Sequence, residues 1–472
     1  MNTELLLETT EEKTEVPFQP TKRTKPKEVA VELRFANWMA KNTNYVVDVH
    51  ENLTVPYLWN GVYYQMQNDH EMKFIALNWL EKFAPDRANN RTAIECVKTS
   101  YLKAKKLPER PKDTIIPLND CWLHVNPKTG EYSVRQPSRS YGITYKINIT
   151  LKAEIGSKYV PKAIPKDSYA SKFLTSTFED LETREFIQEF SGYTLINHTP
   201  FHLGLVLEGD GANGKSVYIN VMSELHQKIG AMRLDDLKRF GLANIEGASL
   251  ALSSETPKSG IHVEELKQCI TGDWVTIERK NKDSYAYRPY AKWIINCNTF
   301  PRLNDHTDGV WRRLAVVKLL KQFKGKDVIR DIDNIIIDTE LDIFLDWCLA
   351  GLSRLLKRGD FDLPESVRAN TNQEKEQNDT VMQYADYTFL EQCESASMNK
   401  DTLFQDYVKH CDKNRINHVH TAEFWKRIKS HFKTLEEKKV TVDGKRVRMV
   451  NLHYAIPQTI EETKEIEESF YS

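Results

Sequence analysis

Residues Gly209, Asp210, Gly211, Ala212, Asn213, Gly214, Lys215 and Ser216 follow one another with the spacing GxxxxGK[ST]. Glycines at these positions let the backbone turn tightly enough to aim successive N–H groups at phosphate oxygens. Lys215 can then reach the outer phosphates, and the Ser216 hydroxyl can ligate magnesium at the first turn of a helix. The apolar run Leu203 to Leu207 precedes the loop and a helical pattern follows it, which is the strand–loop–helix context that such a cradle needs. The expected ligands are ATP and Mg2+.

Turnover needs more than binding, because a carboxylate must orient the metal ion or the attacking water. The apolar stretch from Ala248 ends in Glu255, 40 residues after Lys215. That distance leaves room for one helix–strand crossover, so Glu255 is the expected catalytic acid and, with Ser216, the expected metal ligand. A further strand, Trp293 to Asn298, ends in an amide able to hold the lytic water. Shortly after it come Arg312 and Arg313, whose guanidiniums keep their charge near neutral pH and can stabilise a transferring phosphoryl group.

Short continuous apolar runs separated by helical stretches, between Phe201 and Leu320, have the texture of buried parallel strands. The expected fold class is therefore α/β, with a P-loop core at residues 196–360. Residues 1–28 read as a disordered tail and 29–195 as an α+β region. Within that region lie helical faces at Val31–Met39 and Phe74–Phe83, a hairpin at Leu58–Tyr63, and the turn Asn126-Pro127-Lys128-Thr129-Gly130 between short strands. Residues 361–379 are polar enough for a linker. Residues 380–456 show three helical patterns and a hairpin turning at Asp443-Gly444, the order of a winged helix, and 457–472 read as an acidic tail.

Composition limits the function classes. The 472 residues hold 66 Lys and Arg against 67 Asp and Glu, a net charge of -1, so total charge by itself argues for neither a nucleic-acid nor a membrane partner. No run approaches the roughly 20 apolar residues of a membrane helix, and Met1 to Val16 hold acids where a signal peptide would be basic. Seven cysteines occur without a CxxC pair, which fits a reducing cytoplasm. His410, Cys411, His418 and His420 read as ordinary core and surface residues.

The motifs in this order resemble superfamily 3 helicases, in the phage and plasmid primase-helicase branch that also includes the poxvirus primase-helicase. The likeness rests on the Gly209–Ser216 loop, Ser254-Glu255, Leu266-Lys267 with Thr271-Gly272-Asp273, Asn298 with Pro301, and Trp311-Arg312-Arg313, all within 105 residues. Upstream, Asn126 to Gly130 and Phe190 to Leu195 extend it. It implies an AAA+-type core, a hexameric homo-oligomeric ring with ATP between subunits, single-stranded and forked DNA as partner, and 3′ to 5′ movement in the host cytoplasm. Many relatives place two adjacent acids where this chain has Ser254 before Glu255. An origin-binding initiator whose ATP site controls assembly is the alternative, and an ATPase that remodels proteins is a third reading.

The resemblance also places a DNA-facing hairpin within Trp274 to Lys292. There five cations, among them Arg279, Lys280 and Lys282, outnumber two acids, and Tyr285, Tyr287 and Tyr290 interleave with them, a mixture suited to single strands. From Thr421 to Ile456 nine Lys and Arg face four acids. Lys426 and Lys429 lie on the helical pattern and Lys445 and Arg446 on the hairpin, a second expected DNA surface. Val46 to His50 looks like part of a primase metal motif, but too few acids and too little chain surround it, so a primase or polymerase is expected as a separate partner.

Overall fold

A computed structural model describes residues 29–50, 53–254, 261–280, 282–301, 303, 308–395, 397–414, 416, 418–442 and 444–455. Glu255 and both expected tails lie outside these residues. The chain divides into two compact units, Met1–Pro301 with Arg312–Arg368, and Arg302–Trp311 with Ala369–Ser472.

The first unit begins with helices Val31–Lys41, Asp69–Phe83 and Asn90–Tyr101, which bury Phe35, Met39, Trp79 and Leu80 against strands Tyr45–Val49 and Thr54–Trp59. Asn68 starts the second helix with a reciprocal capping box to Glu71. The expected hairpin turns at Gly61, whose φ of 104° favours a residue without a Cβ. A separate antiparallel sheet of four strands follows, Thr114–Pro117, Trp122–Val125, Tyr132–Arg135 and Lys158–Tyr159. Helices Tyr169–Thr177 and Leu181–Thr194 lead into the motor.

The motor's elements, numbered from its first strand, are β1 (Gly204–Glu208), α1 (Lys215–Leu225), β2 (Ile229–Ala231), β3 (Leu250–Ser253), α2 (Val263–Thr271), the hairpin β4 (Val275–Arg279) and β5 (Lys282–Tyr287), then β6 (Lys292–Cys297) and β7 (Leu314–Lys318). Five of the strands form one parallel sheet in the order β2-β3-β6-β1-β7. The α/β expectation is therefore met, and residues such as Leu205, Leu250, Trp293 and Val316 are wholly buried in it. Neither β2, of three residues, nor β7 was among the strands expected from the sequence.

Helix Leu341–Arg358 closes this unit on Leu181–Thr194. Gly192 and Gly351 let the two backbones meet, since a Cβ at either would lie 2.3 Å from a carbonyl of the other helix. The same contact buries Glu189, 3% exposed, between Arg354 and Arg358. The expected linker at 361–379 is largely a helix, Glu365–Gln377, and the boundary between the two units falls within it, after Arg368.

The second unit carries helices Thr380–Tyr387, Lys400–Lys413 and Thr421–His431 around Tyr384, Tyr407, Phe424 and Ile428, followed by the hairpin Glu437–Val442 and Lys445–Val450. A short strand, Met398–Asn399, pairs with the second arm of that hairpin. Asn399 caps the helix after it through its side chain.

Candidate nucleotide-binding site

Strand β1 delivers the loop to the carboxyl end of the parallel sheet, where ligands of open α/β sheets bind. Gly209 has φ 153° and Gly214 φ 87°, conformations that side chains resist. A Cβ on Gly209 would lie 2.4 Å from both the Asn213 amide nitrogen and the Leu319 carbonyl, and one on Gly214 would lie 2.7 Å from Thr177 Oγ1. Beside Gly211 there is open space. The loop is thus packed on one side and clear on the other.

Lys215 is 5% exposed. Its ammonium donates to the Gly209 carbonyl and, at 3.1 Å, to Asn213 Oδ1. Both are neutral oxygens of its own loop, and among the described residues no carboxylate is bonded to it. Burial pushes the ammonium pKa down, against the pull of Cys297, Asp210 and Glu208. A buried cation held by neutral acceptors is poised for an anion. Asp210, Gly211, Ala212 and Ser216 are exposed, with Ser216 in the first turn of α1, so the residues fit a nucleoside triphosphate and leave a hydroxyl for its magnesium ion.

Contacts from distant segments keep the loop in place. Asn213 donates to the Leu319 carbonyl at 3.2 Å, and the Phe323 N–H donates to the Ala212 carbonyl at 2.7 Å. The strap Leu319–Phe323 therefore holds the loop at two points, and Lys321 pairs with Glu179 at 2.6 Å. Nothing local in the sequence marks these residues as part of the site.

The other expected residues separate in space. Cys297 lies opposite Glu208 in the β6–β1 register and its carbonyl accepts the Gly209 N–H at 3.2 Å, which brings Asn298, exposed, beside the loop. Ser254, also exposed, follows β3 one strand further away, and Glu255 is not described. Arg312 and Arg313 precede β7, whose Leu314 is opposite Gly204, the first residue of β1. They sit at the other end of the sheet from Lys215. Burial and Arg312 push the Arg313 guanidinium pKa down, while Asp273 and Glu264 oppose this. Thr271-Gly272-Asp273 closes α2 with Gly272 in the left-handed region and so carries Asp273 to the arginine end.

The β4–β5 hairpin falls where the family resemblance places it, but its surface is not the expected one. Arg279 bonds the carboxylate of Glu246, itself 3% exposed. Tyr285 is 5% exposed and packs against His50 with the rings tilted and their centroids 4.6 Å apart, Tyr290 is buried under Arg110, and Tyr287 accepts the Gly247 N–H. Lys292 is buried and donates to the Ile196 carbonyl. Arg288 donates to the Gly272 carbonyl. The stacking surface expected of the tyrosines is corrected to packing, because alternation along a strand sends half of its side chains inward. Lys280 is exposed at the turn; the Lys282 side chain is outside the described residues, although its backbone pairs with Arg279.

In the second unit Lys426 and Lys429 are exposed on helix Thr421–His431, with Lys426 3.7 Å from Glu423. Arg427 is instead held by Asp379 and Glu423, each at 3.1 Å. Lys445 and Arg446 are exposed next to the hairpin turn, opposite Val442 and Thr441.

The family model described as "Family of unknown function (DUF5906)" matches residues 207–313, the stretch from the end of β1 to Arg313. The model for the RFX DNA-binding domain matches residues 381–454 in the second unit. The chain is 27% identical over 163 residues to a protein of Acanthamoeba polyphaga mimivirus named "Putative helicase L207/L206"; the match covers 32% of this chain and 17% of that protein. A solved structure titled as the A form apo structure of the NrS-1 C-terminal region aligns with 87% of this chain and 97% of its own, at 11% identity and a TM-score of 0.48. A second apo structure of that region, residues 305–718, covers 90% of this chain and 100% of its own at 11% identity and a TM-score of 0.45.

Proposed function

We propose that the chain is an ATP-driven motor on DNA, a helicase of a viral, phage or plasmid replicon. The observation that carries this is the buried Lys215 ammonium, bonded among the described residues to neutral loop oxygens at the carboxyl end of the parallel sheet. ATP binds with its phosphates on the Gly209–Gly214 backbone and against Lys215. Ser216 with Glu255 would hold magnesium, which would neutralise charge on the phosphates. Asn298 orients water beside the loop. Arg312 and Arg313 act on a neighbouring subunit's nucleotide, which calls for a ring, hexameric by the family resemblance.

The likeness to a mimivirus protein with a helicase name supports the motor. The RFX DNA-binding match, together with the exposed cations Lys426, Lys429, Lys445 and Arg446, supports a winged-helix grip on duplex DNA. On this reading the motor moves 3′ to 5′ and works with a separate primase or polymerase. The test is ATPase activity with and without single-stranded DNA, then strand displacement on 3′- and 5′-tailed forks. Stimulation together with displacement of 3′-tailed forks is expected. ATPase indifferent to DNA would defeat the reading.

The same RFX match favours a second reading, an origin-binding initiator that uses ATP for assembly. It predicts ATP-dependent duplex binding with no strand displacement.

A further inference from the structure

The loop Asn126-Pro127-Lys128-Thr129-Gly130 plays no part in the nucleotide site, yet it is built with care. Asn126 Oδ1 accepts the N–H groups of Lys128 at 2.9 Å and Thr129 at 3.2 Å. Gly130, with φ 68°, packs where a Cβ would lie 2.5 Å from the Ser353 carbonyl. The loop forms one wall of a cavity of about 550 Å³ in the four-stranded antiparallel sheet. That volume is in the range of small-molecule sites, about 300–1,000 Å³.

Its floor follows from strand register. His124 pairs with Ser133, and Ser133 with Lys158, so the three side chains stand in a row on one face of the sheet. Lys112 and Lys128 add two more ammonium groups to the lining. Glu131 is drawn to Lys158 at 3.3 Å, which leaves Asp113 as the other lining acid. His198 closes the back. Asn197, fully buried, accepts the Ile115 N–H and donates to the carbonyls of Pro111 and Asp113. Its Oδ1 can only accept, so His198 must donate from Nδ1 at 3.1 Å. Burial pushes His198 down to about 4 and lowers His124. At neutral pH both are uncharged imidazoles, and His198 keeps Nε2 as an acceptor.

We propose that this cavity binds a nucleoside phosphate, either free or as one nucleotide of a single strand, with Lys112, Lys128 and Lys158 on the phosphate and His124 and His198 against the base. Three ammonium groups against two carboxylates, one of them Glu131 beside Lys158, line the cavity, and a lining richer in cations suits a phosphate. A neutral acceptor and a flat ring, with His124 already stacked on Trp122 at 6.4 Å, suit a base better than a second anion. The cavity shares no lining residue with the Gly209–Ser216 loop, so it is a second site and not an extension of the first.

The test is fluorescence anisotropy with the full chain and two probes, N-methylanthraniloyl-AMP and a 5′-fluorescein-labelled hexamer of thymidylate, each measured for wild type, Lys215→Ala, Lys128→Glu and Ser133→Trp. A monophosphate lacks the outer phosphates that Lys215 would hold, so Lys215→Ala should leave its binding unchanged. Lys128→Glu, on an exposed loop where it cannot unfold the chain, should weaken binding about tenfold or more, the loss of a hydrogen bond to a charged group. Ser133→Trp should fill the cavity and remove binding. Saturable binding of labelled AMP identifies the free nucleotide as the source, and binding of the hexamer alone identifies the strand. No saturable binding of either probe, or binding unaffected by both cavity substitutions, overturns the proposal.

Discussion

The Arg313 carbonyl accepts the Gly204 N–H at 2.8 Å. Gly204 begins β1 and the phosphate loop follows the end of that strand, so Arg313 and Lys215 stand at opposite ends of it. Five residues at about 3.3 Å each span more than an arginine side chain can reach. The Arg313 side chain therefore does not reach Lys215 of its own loop.

Arg313→Ala should therefore bind ATP normally and hydrolyse it about a thousandfold more slowly. Mixed with Lys215→Ala protein, under conditions where subunits exchange, it should regain ATPase at interfaces that pair an intact loop with an intact arginine. Mixed rings no more active than either variant alone would defeat the shared-site reading.

Lys215→Ala should abolish turnover, since the outer phosphates lose their main protein cation. Gly209→Ala should do so by another route, placing a Cβ against Asn213 and Leu319 at φ 153°. Isothermal titration with a non-hydrolysable ATP analogue distinguishes them. Gly209→Ala should lose affinity and lower the melting temperature, whereas Lys215→Ala should lose affinity alone.

Two neighbours on the hairpin should behave differently. Lys280→Ala should weaken stimulation of ATPase by single-stranded DNA and reduce its salt dependence, with stability unchanged. Arg279→Ala should instead destabilise the fold by about 3–5 kcal/mol, because it strands the buried Glu246 carboxylate. Urea unfolding and DNA-stimulated ATPase on both variants provide the check. An Arg279→Ala protein of wild-type stability would show that the ion pair contributes nothing.

His226 is buried between Thr194 and Ser249, with ring nitrogens 3.1 and 2.8 Å from their hydroxyls. Burial, aided by Lys292, pushes it from 6.5 down to about 3. The unfolded chain takes up a proton that the folded chain refuses, so this contribution to stability is whole above about pH 6.5 and is lost as the pH falls toward 3. His226→Gln should be less stable at pH 7.5 but lose less further stability at pH 5.5. Equal pH slopes in urea unfolding would assign the acid sensitivity elsewhere.

Short-range chemistry made much of this protein legible in its sequence. The loop Gly209–Ser216 and the strands β1, β3 and β6 each announce themselves through spacing or apolar runs that act over a few positions. Tertiary structure decided which of those residues meet. Asn298 reaches the loop and the arginines do not, because the β6–β1 and β7–β1 registers bring the end of β6 and the start of β7 to opposite edges of one sheet. Tyr285, Tyr290 and Lys292 look like a nucleic-acid surface in a linear reading. They are core because partners as distant as His50, Arg110 and Ile196 pack on them, and no local pattern encodes a partner so far along the chain.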